Sequence, residues 1–453
     1  MATAQQKFPL PRPTARAAAV RELGRIEQEG AFIGLTSDEE VVLDAREERQ
    51  AREYVAGVTR WRRWLDFLLA QFYRGDFNAM EPVLRQILRV GLYDVLFLRT
   101  PPHAALNEAV EAAKRQVRPG AGRLVNGVLR SVLRRQDDLP QPDTGNPARD
   151  LAIRHSHPTW MVRRWLARFE PDETQALLRW NNARPVYGLR VNTLQTSVEA
   201  LREKLTGEDI AWEPSPYLSD FVRLPQLQGV IRSESLPKGA WAVQDESAGL
   251  VVRLLDPQPG ETLLDVCAAP GGKALYAAQQ MQDQGRILAS DVHAGRLELV
   301  RHAARQAGAA IVETQEADVR DLAAGEAPPQ GDRVMLDAPC SGLGVLAKRA
   351  DLRWNRTSEE IGKLAHLQDE LLDATARLVR PGGLLVYSTC TIEPEENDQR
   401  VEAFLQRQTD FTLERADGFV PDAMVTPEGY YATLPHRHHI DGAFGARLRK
   451  RGV

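Results

Sequence analysis

Two of the three cysteines of the chain stand where covalent chemistry would be useful. Cys340 follows Asp337-Ala338-Pro339, and Cys390 follows Tyr387-Ser388-Thr389. A thiolate is a potent nucleophile near neutral pH wherever neighbouring charge lowers its pKa. A second chemistry is written upstream. In Asp265-Val266-Cys267-Ala268-Ala269-Pro270-Gly271-Gly272-Lys273, small residues separate an apolar run from a helical one, so backbone can approach a ligand closely. The run is not the six-residue GxGxxG phosphate fingerprint. Lys273 is followed by Ala274, which disfavours a Walker A loop and a nucleotide triphosphate. Asp291, twenty residues after Gly271, is placed to take both hydroxyls of a ribose, and Asp318 to accept from an adenine amino group. Each acid alone would more often be a helix N-cap. Together with the glycine loop, at three successive strand ends, they describe an adenosine site without a phosphate anchor, and S-adenosylmethionine fits it.

The two chemistries meet in one reaction. Carbon 5 of cytosine is too electron-poor to attack a methyl group unaided. A thiolate adding to C6 turns C5 into an enamine carbon that can attack a sulfonium methyl. An acid donating to N3 as charge develops there helps the addition. Loss of the C5 proton and elimination of the thiol release the product. Cys390, Cys340 and Asp337 are the available set, and Lys273 is placed to orient Asp337 and lower a thiol pKa. Spacing alone leaves open which cysteine attacks.

Positioning such groups takes a sheet. Thr262–Val266, Arg286–Ser290, Ala310–Glu313, Arg333–Leu336 and Leu384–Tyr387 are short apolar runs separated by helical stretches, the pattern of a doubly wound parallel α/β sheet. Ligands of such sheets bind at the carboxyl ends of the strands. Residues 14 to about 136 are helical instead: apolar residues recur at three- and four-residue spacing through Leu84, Ile87, Leu88 and Leu92, and again through Leu124, Val125, Val128, Leu129 and Val132. Pro101-Pro102 and Gly120-Ala121-Gly122 punctuate them. Residues 137–147 have a linker's composition, and 148–240 mix helix with strand. At 453 residues, roughly three domains are expected: an all-α bundle at 1–140, a linker and small α/β segment at 141–240, and an α/β domain at 241–453.

Composition excludes other classes. With 43% hydrophobic and 26% charged residues the chain is ordinary for a globular protein, and no apolar run approaches a bilayer's width. Three cysteines without a CxxC pair make neither a disulfide framework nor a zinc site, and a reducing, cytoplasmic setting is expected. The first 21 residues contain no acid and lack the apolar core of a secretory signal; a frayed start is expected there. The net charge of -4 conceals a gradient, with 22 basic against 18 acidic residues over 1–140 and 23 against 32 over 241–453. A basic front hints at a polyanionic partner. The hint is weak, since 50 of the 58 basic residues are arginine, as genome base composition alone would produce.

One family carries these features together. Val243-Gln244-Asp245, LLDVCAAPGGK, Asp291 with Arg296, Asp318, DAPCSGLG, Arg353-Trp354 and YSTCTIEPEEN resemble the RNA 5-methylcytosine methyltransferases, within them the bacterial small-subunit (16S) ribosomal RNA enzymes of the Sun/Fmu type. PPHAALNEAVEAAK and GRLVNGVLR are similar to the NusB-like RNA-binding domain of that subfamily. The resemblance covers nearly the whole chain. It implies a Rossmann-like methyltransferase domain, ribosomal RNA as partner and a monomer. It implies that Cys390 attacks while Cys340 assists release, and that Cys267, Ala268, Ala269, Pro270, Gly271, Gly272, Lys273, Asp291, Asp318 and Asp337, with Arg296 a weaker candidate, hold the cofactor. Ala443 and Ala350 depart from the family pattern, which usually has Phe and Pro there.

Other residues read more plainly. His436, His438 and His439 lack a carboxylate or thiolate at ligand spacing, so no metal is expected. His155 and His157 read as structural, and Trp61, Trp64 and Phe67 as core. Arg447-Leu448-Arg449-Lys450-Arg451 reads equally as a phosphate contact or a frayed tail. Two rival functions stand beside the main one: the same chemistry on transfer RNA, and a non-enzymatic RNA-binding or ribosome-assembly factor on a relic fold. The intact Cys390, Cys340, Asp337 and Lys273 argue against the second.

Overall fold

The computed structural model describes residues 14–29, 43–98 and 100–452. The first 13 residues, on which part of the reading of the chain start falls, lie outside them. Two compact units are present: residues 1–182 with 349–355, and 183–348 with 356–453.

Among the described residues the helical unit begins with five helices, Ala15–Glu29, Ala45–Phe72, Pro82–Phe97, Pro102–Gln116 and Ala121–Leu133. Their boundaries follow from local chemistry. Asp44 caps the second by accepting from the N–H groups of Arg46 and Glu47. Pro82 and Pro102 each stand at a first helical position, where a missing N–H costs nothing. Leu65, Leu68, Leu69, Leu88, Leu92, Val125 and Leu129 form the core, with Trp61, Trp64 and Phe67 packed against it. Arg89, buried among them, is matched by Asp66 (2.6 Å) and Glu27 (2.8 Å).

Three further helices, Pro147–Arg154, Thr159–Arg168 and Pro171–Asn182, belong to this unit, as does the short helix Leu352–Asn355. The compact boundary therefore lies after Asn182, inside the stretch expected to form one middle segment. Arg353 is fully buried here and donates to the carbonyls of Ser156 (3.1 Å) and Asn181 (2.9 Å) and to Asn182 Oδ1 (2.8 Å). Trp354 Nε1 donates to Thr59 O (2.7 Å), and Arg62 lies over its ring.

The second unit holds two sheets. The smaller is antiparallel, from β1 (Tyr187–Val191), β2 (Glu213–Pro214), β3 (Phe221–Leu224) and β4 (Trp241–Val243) in the order β2-β3-β1-β4. Leu189, Val191, Val222 and Leu224 pack there against Leu201 and Leu205 of helix Val198–Gly207.

The larger sheet contains β5 (Thr262–Asp265), β6 (Arg286–Asp291), β7 (Val312–Glu316), β8 (Gly331–Asp337), β9 (Val379–Thr389), β10 (Phe411–Glu414), β11 (Tyr431–Thr433) and β12 (Ala443–Lys450). Its order is β10-β12-β9-β8-β5-β6-β7, with β11 paired to β12. β5 to β9 are parallel and the strands joined through β12 antiparallel. Leu263, Ile287, Met335, Leu384 and Val386 enter the core on one face, and Leu264, Leu288, Val334, Leu336, Leu385 and Tyr387 that on the other. Coverage on both faces is why these strands read as continuous apolar runs. Strand order reverses between β5 and β8, so the crevice at their carboxyl ends is the expected ligand site.

The charged tail is a correction. Arg447, expected to be frayed or on phosphate, lies in β12 between β9 and β10. It is 2% exposed, pairs with Glu414 (2.8 Å) and lies 3.7 Å from the centre of the Phe419 ring. Ala443 is also buried in the core and is not among the residues that line the cavity described next.

Candidate active site

A cavity of about 450 Å³ opens at the carboxyl ends of the parallel strands, a volume suited to a nucleoside-sized ligand. Cys267, Ala269, Asp291, Arg296, Asp318, Asp337, Cys340 and Cys390 line it. Ala268, Pro270, Gly271, Gly272 and Lys273 lie along the loop from β5 into helix Gly272–Gln280, outside the lining. Val266, Ala338 and Pro339 from the motifs already quoted, together with Val292, His293, Val319, Arg320, Leu367 and Leu371, complete the wall, and the last six were not singled out from sequence. Leu367 and Leu371 sit one turn apart on helix Ser358–Ala376, a spacing shared with every core leucine, so nothing in the sequence marked them.

The glycine loop turns at Gly271, whose φ of +102° a side chain would strain; a Cβ there would also meet Val300 at 3.1 Å. Arg190 of β1, buried and absent from the sequence-based set, donates to Gly272 O (3.1 Å) and lies over Tyr276, so it braces the loop from the smaller sheet. Arg296 donates to Ala269 O (2.6 Å) and stands 3.8 Å from Asp291, which makes it a brace as much as a ligand group.

Asp291 ends β6, buried, and accepts from Ala269 N (3.2 Å) and His293 N (3.1 Å), one bond to each oxygen. A lone pair on each oxygen remains for a pair of vicinal hydroxyls. Asp318 caps helix Val319–Ala324 through Arg320 N (2.8 Å), and the Arg320 guanidinium also donates to it (2.7 Å). That hydrogen bond, the backbone one and the Arg320 charge overcome burial and hold the carboxyl below its usual range.

Asp265, at the tip of β5, is 1% exposed, and neither oxygen makes a well-formed hydrogen bond, Cys267 N–H offering only a weak one. Burial first, then the charge of Asp337, pushes its carboxyl up to about 7. A buried acid left without donors beside a cavity calls for a cationic or hydrogen-bond-donating ligand. A sulfonium methyl donor with an ammonium group is of that kind, so the residues present fit S-adenosylmethionine.

Lys273 Nζ donates to Asp337 Oδ2 (2.6 Å), and Ser388 Oγ to Asp337 Oδ1 (2.9 Å). Burial opposes charge on Lys273, but Asp337 outweighs it and the ammonium is held above its ordinary range. Cys340 Sγ and Cys390 Sγ lie 3.3 Å apart. Cys390 is exposed and Cys340 half-buried. The contact with Cys390, then burial, pushes the Cys340 thiol well above its usual range. Burial also raises Cys267, which lines the cavity as a small apolar group.

Among the described residues no group of three or more His, Cys, Asp or Glu is arranged to hold a metal, and no helix is long and apolar enough to cross a membrane. His438 Nδ1 accepts from Leu434 N (2.8 Å) at the turn into its own short helix.

A small-residue loop without a phosphate anchor, opening on a nucleoside-sized cavity at the switch point, places the chain among the methyltransferases built on a doubly wound sheet. Comparison with known proteins narrows the class. The model of the 16S rRNA methyltransferase RsmB/F matches residues 252–449, that of the NusB family 13–134, and that of the RsmF/B-like ferredoxin-like domain 157–230. The probable ribosomal RNA small subunit methyltransferase B of Synechocystis sp. is 37% identical over 414 residues, 90% of this chain and 92% of that one. Its counterpart in Bacillus subtilis is 33% identical over 449 residues, 96% and 99% of the two chains. The crystal structure of PH0851 is 27% identical with a TM-score of 0.78, covering 98% of this chain and 100% of that one. The chain belongs to the ribosomal RNA small subunit methyltransferase B family.

Proposed function

We propose that the protein transfers a methyl group from S-adenosylmethionine to C5 of a cytidine in small-subunit ribosomal RNA, through a covalent bond between Cys390 and C6. The observation that carries this reading is the pair of thiols 3.3 Å apart, beside the Lys273–Asp337 pair, in the cavity that also holds Asp291. The relatives' names supply the substrate, and the match to the NusB family supports RNA contact by the helical unit.

Bound S-adenosylmethionine supplies the electrophilic methyl. Asp291 holds the ribose, and Asp265 lies near enough to meet positive charge. Cys390 adds to C6 while the Lys273–Asp337 pair stabilises the charge that develops toward N3. C5 then takes the methyl and gives its proton to solvent water, the C5–H electron pair forms the ring double bond, and the Sγ–C6 bond breaks with its pair returning to Cys390. Cys390 is the exposed member of the pair and Cys340 the half-buried one, which favours Cys390 for the attack and leaves Cys340 to assist release. The target base must leave its stack to reach this crevice.

The test is transfer of labelled methyl to unmodified small-subunit ribosomal RNA by wild type, Cys390→Ala and Cys340→Ala, with protein–RNA adducts read on a denaturing gel. Loss of both methylation and adduct in Cys390→Ala, with adduct accumulating in Cys340→Ala, is expected. The reverse pattern would overturn the roles, and activity on transfer RNA alone would overturn the substrate.

A further inference from the structure

Behind the two cysteines lies a buried polar network whose members come from the helix Ser358–Ala376 and from the turn that follows β9. Its geometry is organised around the neighbours of each cysteine in the chain. Glu396, fully buried, accepts from the backbone N–H of Ser341 at Oε1 (2.8 Å) and from the Ser341 hydroxyl at Oε2 (2.5 Å). Gln368, also fully buried, donates from Nε2 both to Glu396 Oε1 (3.1 Å) and to Pro339 O (2.8 Å). Pro339 and Ser341 flank Cys340, so Gln368 and Glu396 grip it from both sides. Asn397 does the same for Cys390: its Oδ1 accepts from the Thr389 hydroxyl (2.6 Å) and its Nδ2 donates to Thr391 O (3.1 Å).

The two grips are joined. Ser341 Oγ and Thr391 Oγ1 are 2.8 Å apart, and since Ser341 spends its proton on Glu396, Thr391 is the donor. Tyr387, on the strand that delivers Cys390, donates to Glu396 O (2.6 Å). The loops also touch through backbone. Gly344 N donates to Cys390 O (3.1 Å), and a Cβ at Gly344 would sit 2.8 Å from that oxygen.

We propose, resting on the covalent mechanism above, that Glu396 with Gln368 and the adjacent Asn397 are positioning residues that share the work by cysteine: Glu396 and Gln368 set Cys340 for release, and Asn397 sets Cys390 for attack. None of the three lines the cavity, so each acts through the loop it holds. A displacement of about 1 Å at a reacting group is enough to cost a hundredfold in rate. Disrupting one grip therefore impairs one step.

The experiment uses the full chain, labelled S-adenosylmethionine and unmodified small-subunit ribosomal RNA. Cys340→Ala serves as the reference for failed release. Glu396→Ala should accumulate protein–RNA adduct as the reference does, with turnover falling about tenfold or more. Glu396→Gln keeps an acceptor for Ser341 N–H and offers a donor to its hydroxyl, so it should restore turnover and clear the adduct. Asn397→Ala should lose adduct and methylation together. Ser341→Ala, which removes one of the two bonds to Glu396 and leaves the carboxylate in place, carries the same test if Glu396→Ala does not fold, and should also accumulate adduct. Adduct in Cys340→Ala but none in Glu396→Ala or Ser341→Ala would overturn the division of labour. Absence of adduct in Cys340→Ala itself would overturn the covalent mechanism on which it rests.

Discussion

The loops that end β8 and β9 have the same layout and different surroundings. Each delivers a cysteine from a strand tip, and each follows it at once with a hydroxyl residue, Ser341 in one and Thr391 in the other. Each also sends one side chain to a common centre, since Asp337 stands three residues before Cys340 and Ser388, two before Cys390, donates to it. Yet Cys340 is half-buried with its thiol pushed up, and Cys390 is exposed. The sulfurs are chemically identical, so any division of roles between them must come from solvent, neighbouring charge and hydrogen bonds. In the proposed mechanism, environment is what assigns the roles.

The hardest blow to that comparison is to remove each sulfur in turn. Cys390→Ser should lower methylation by about 10³-fold or more, because a hydroxyl without a base does not add to C6, whereas Cys340→Ser should keep a single round of attack; rapid-quench measurement of the first turnover separates them. Next in size is the centre both loops share. Asp337→Asn weakens the pairing with Lys273 and should reduce kcat about a hundredfold, a larger loss than the one it causes in affinity for S-adenosylmethionine measured by calorimetry. Asp291→Ala tests the opposite partition: affinity for the cofactor should fall about ten- to a hundredfold, with Cys390 as reactive toward an alkylating probe as in wild type.

Asp265 sharpens the comparison by pH. Its folded-state carboxyl titrates at about 7, above the ordinary 3.8, so it carries a proton in the cofactor-free protein below that point. A cationic ligand favours the ionised form. Affinity should therefore rise as pH is raised toward about 7, by up to tenfold per unit, and then level off. The same shift makes the cofactor-free fold lose stability as pH rises from 3.8 toward about 7, and Asp265→Asn should abolish both trends in calorimetry and thermal melts. The smallest effect is expected at Arg320→Ala. This exposed partner of Asp318 should alter cofactor affinity by no more than about threefold, and in the direction of tighter binding if the guanidinium competes with the ligand.

The parts of this site that the sequence disclosed are local ones. Asp291, Cys340 and Cys390 each stand at or just beyond the carboxyl end of a strand buried on both faces, which announces itself as an apolar run whatever it pairs with, whereas Asp318 follows β7, a largely polar strand with no buried residue. What stayed hidden depends on distant pairing. Arg447 looks like part of a charged tail until β12 inserts between β9 and β10 and brings Glu414 to it. Arg353 looks like a surface charge until carbonyls some 170 to 200 residues away surround it. Gln368 is an ordinary polar residue in sequence, and Glu396 and Asn397 close the YSTCTIEPEEN motif without disclosing what they hold; only the fold shows which flanks of the cysteines the three bond. The middle of the chain mixed its signals because helices Pro147–Arg154, Thr159–Arg168 and Pro171–Asn182 and strand β1, contiguous in sequence, divide between two units.

That division has a practical edge. The chain passes from one unit to the other three times, after Asn182, after Lys348 and after Asn355. No single cut separates the protein into two self-sufficient pieces. A fragment beginning at Ala183 would carry Arg353 and Trp354 stripped of the acceptors at Ser156, Asn181 and Thr59, an orphaned guanidinium and an uncovered indole in the middle of a catalytic fragment. A fragment ending at Asn182 would have a seven-residue hole where Arg349–Asn355 belongs. Any recombinant dissection, domain exchange or gene fusion across this boundary must carry the insert with the helices or graft a replacement for it.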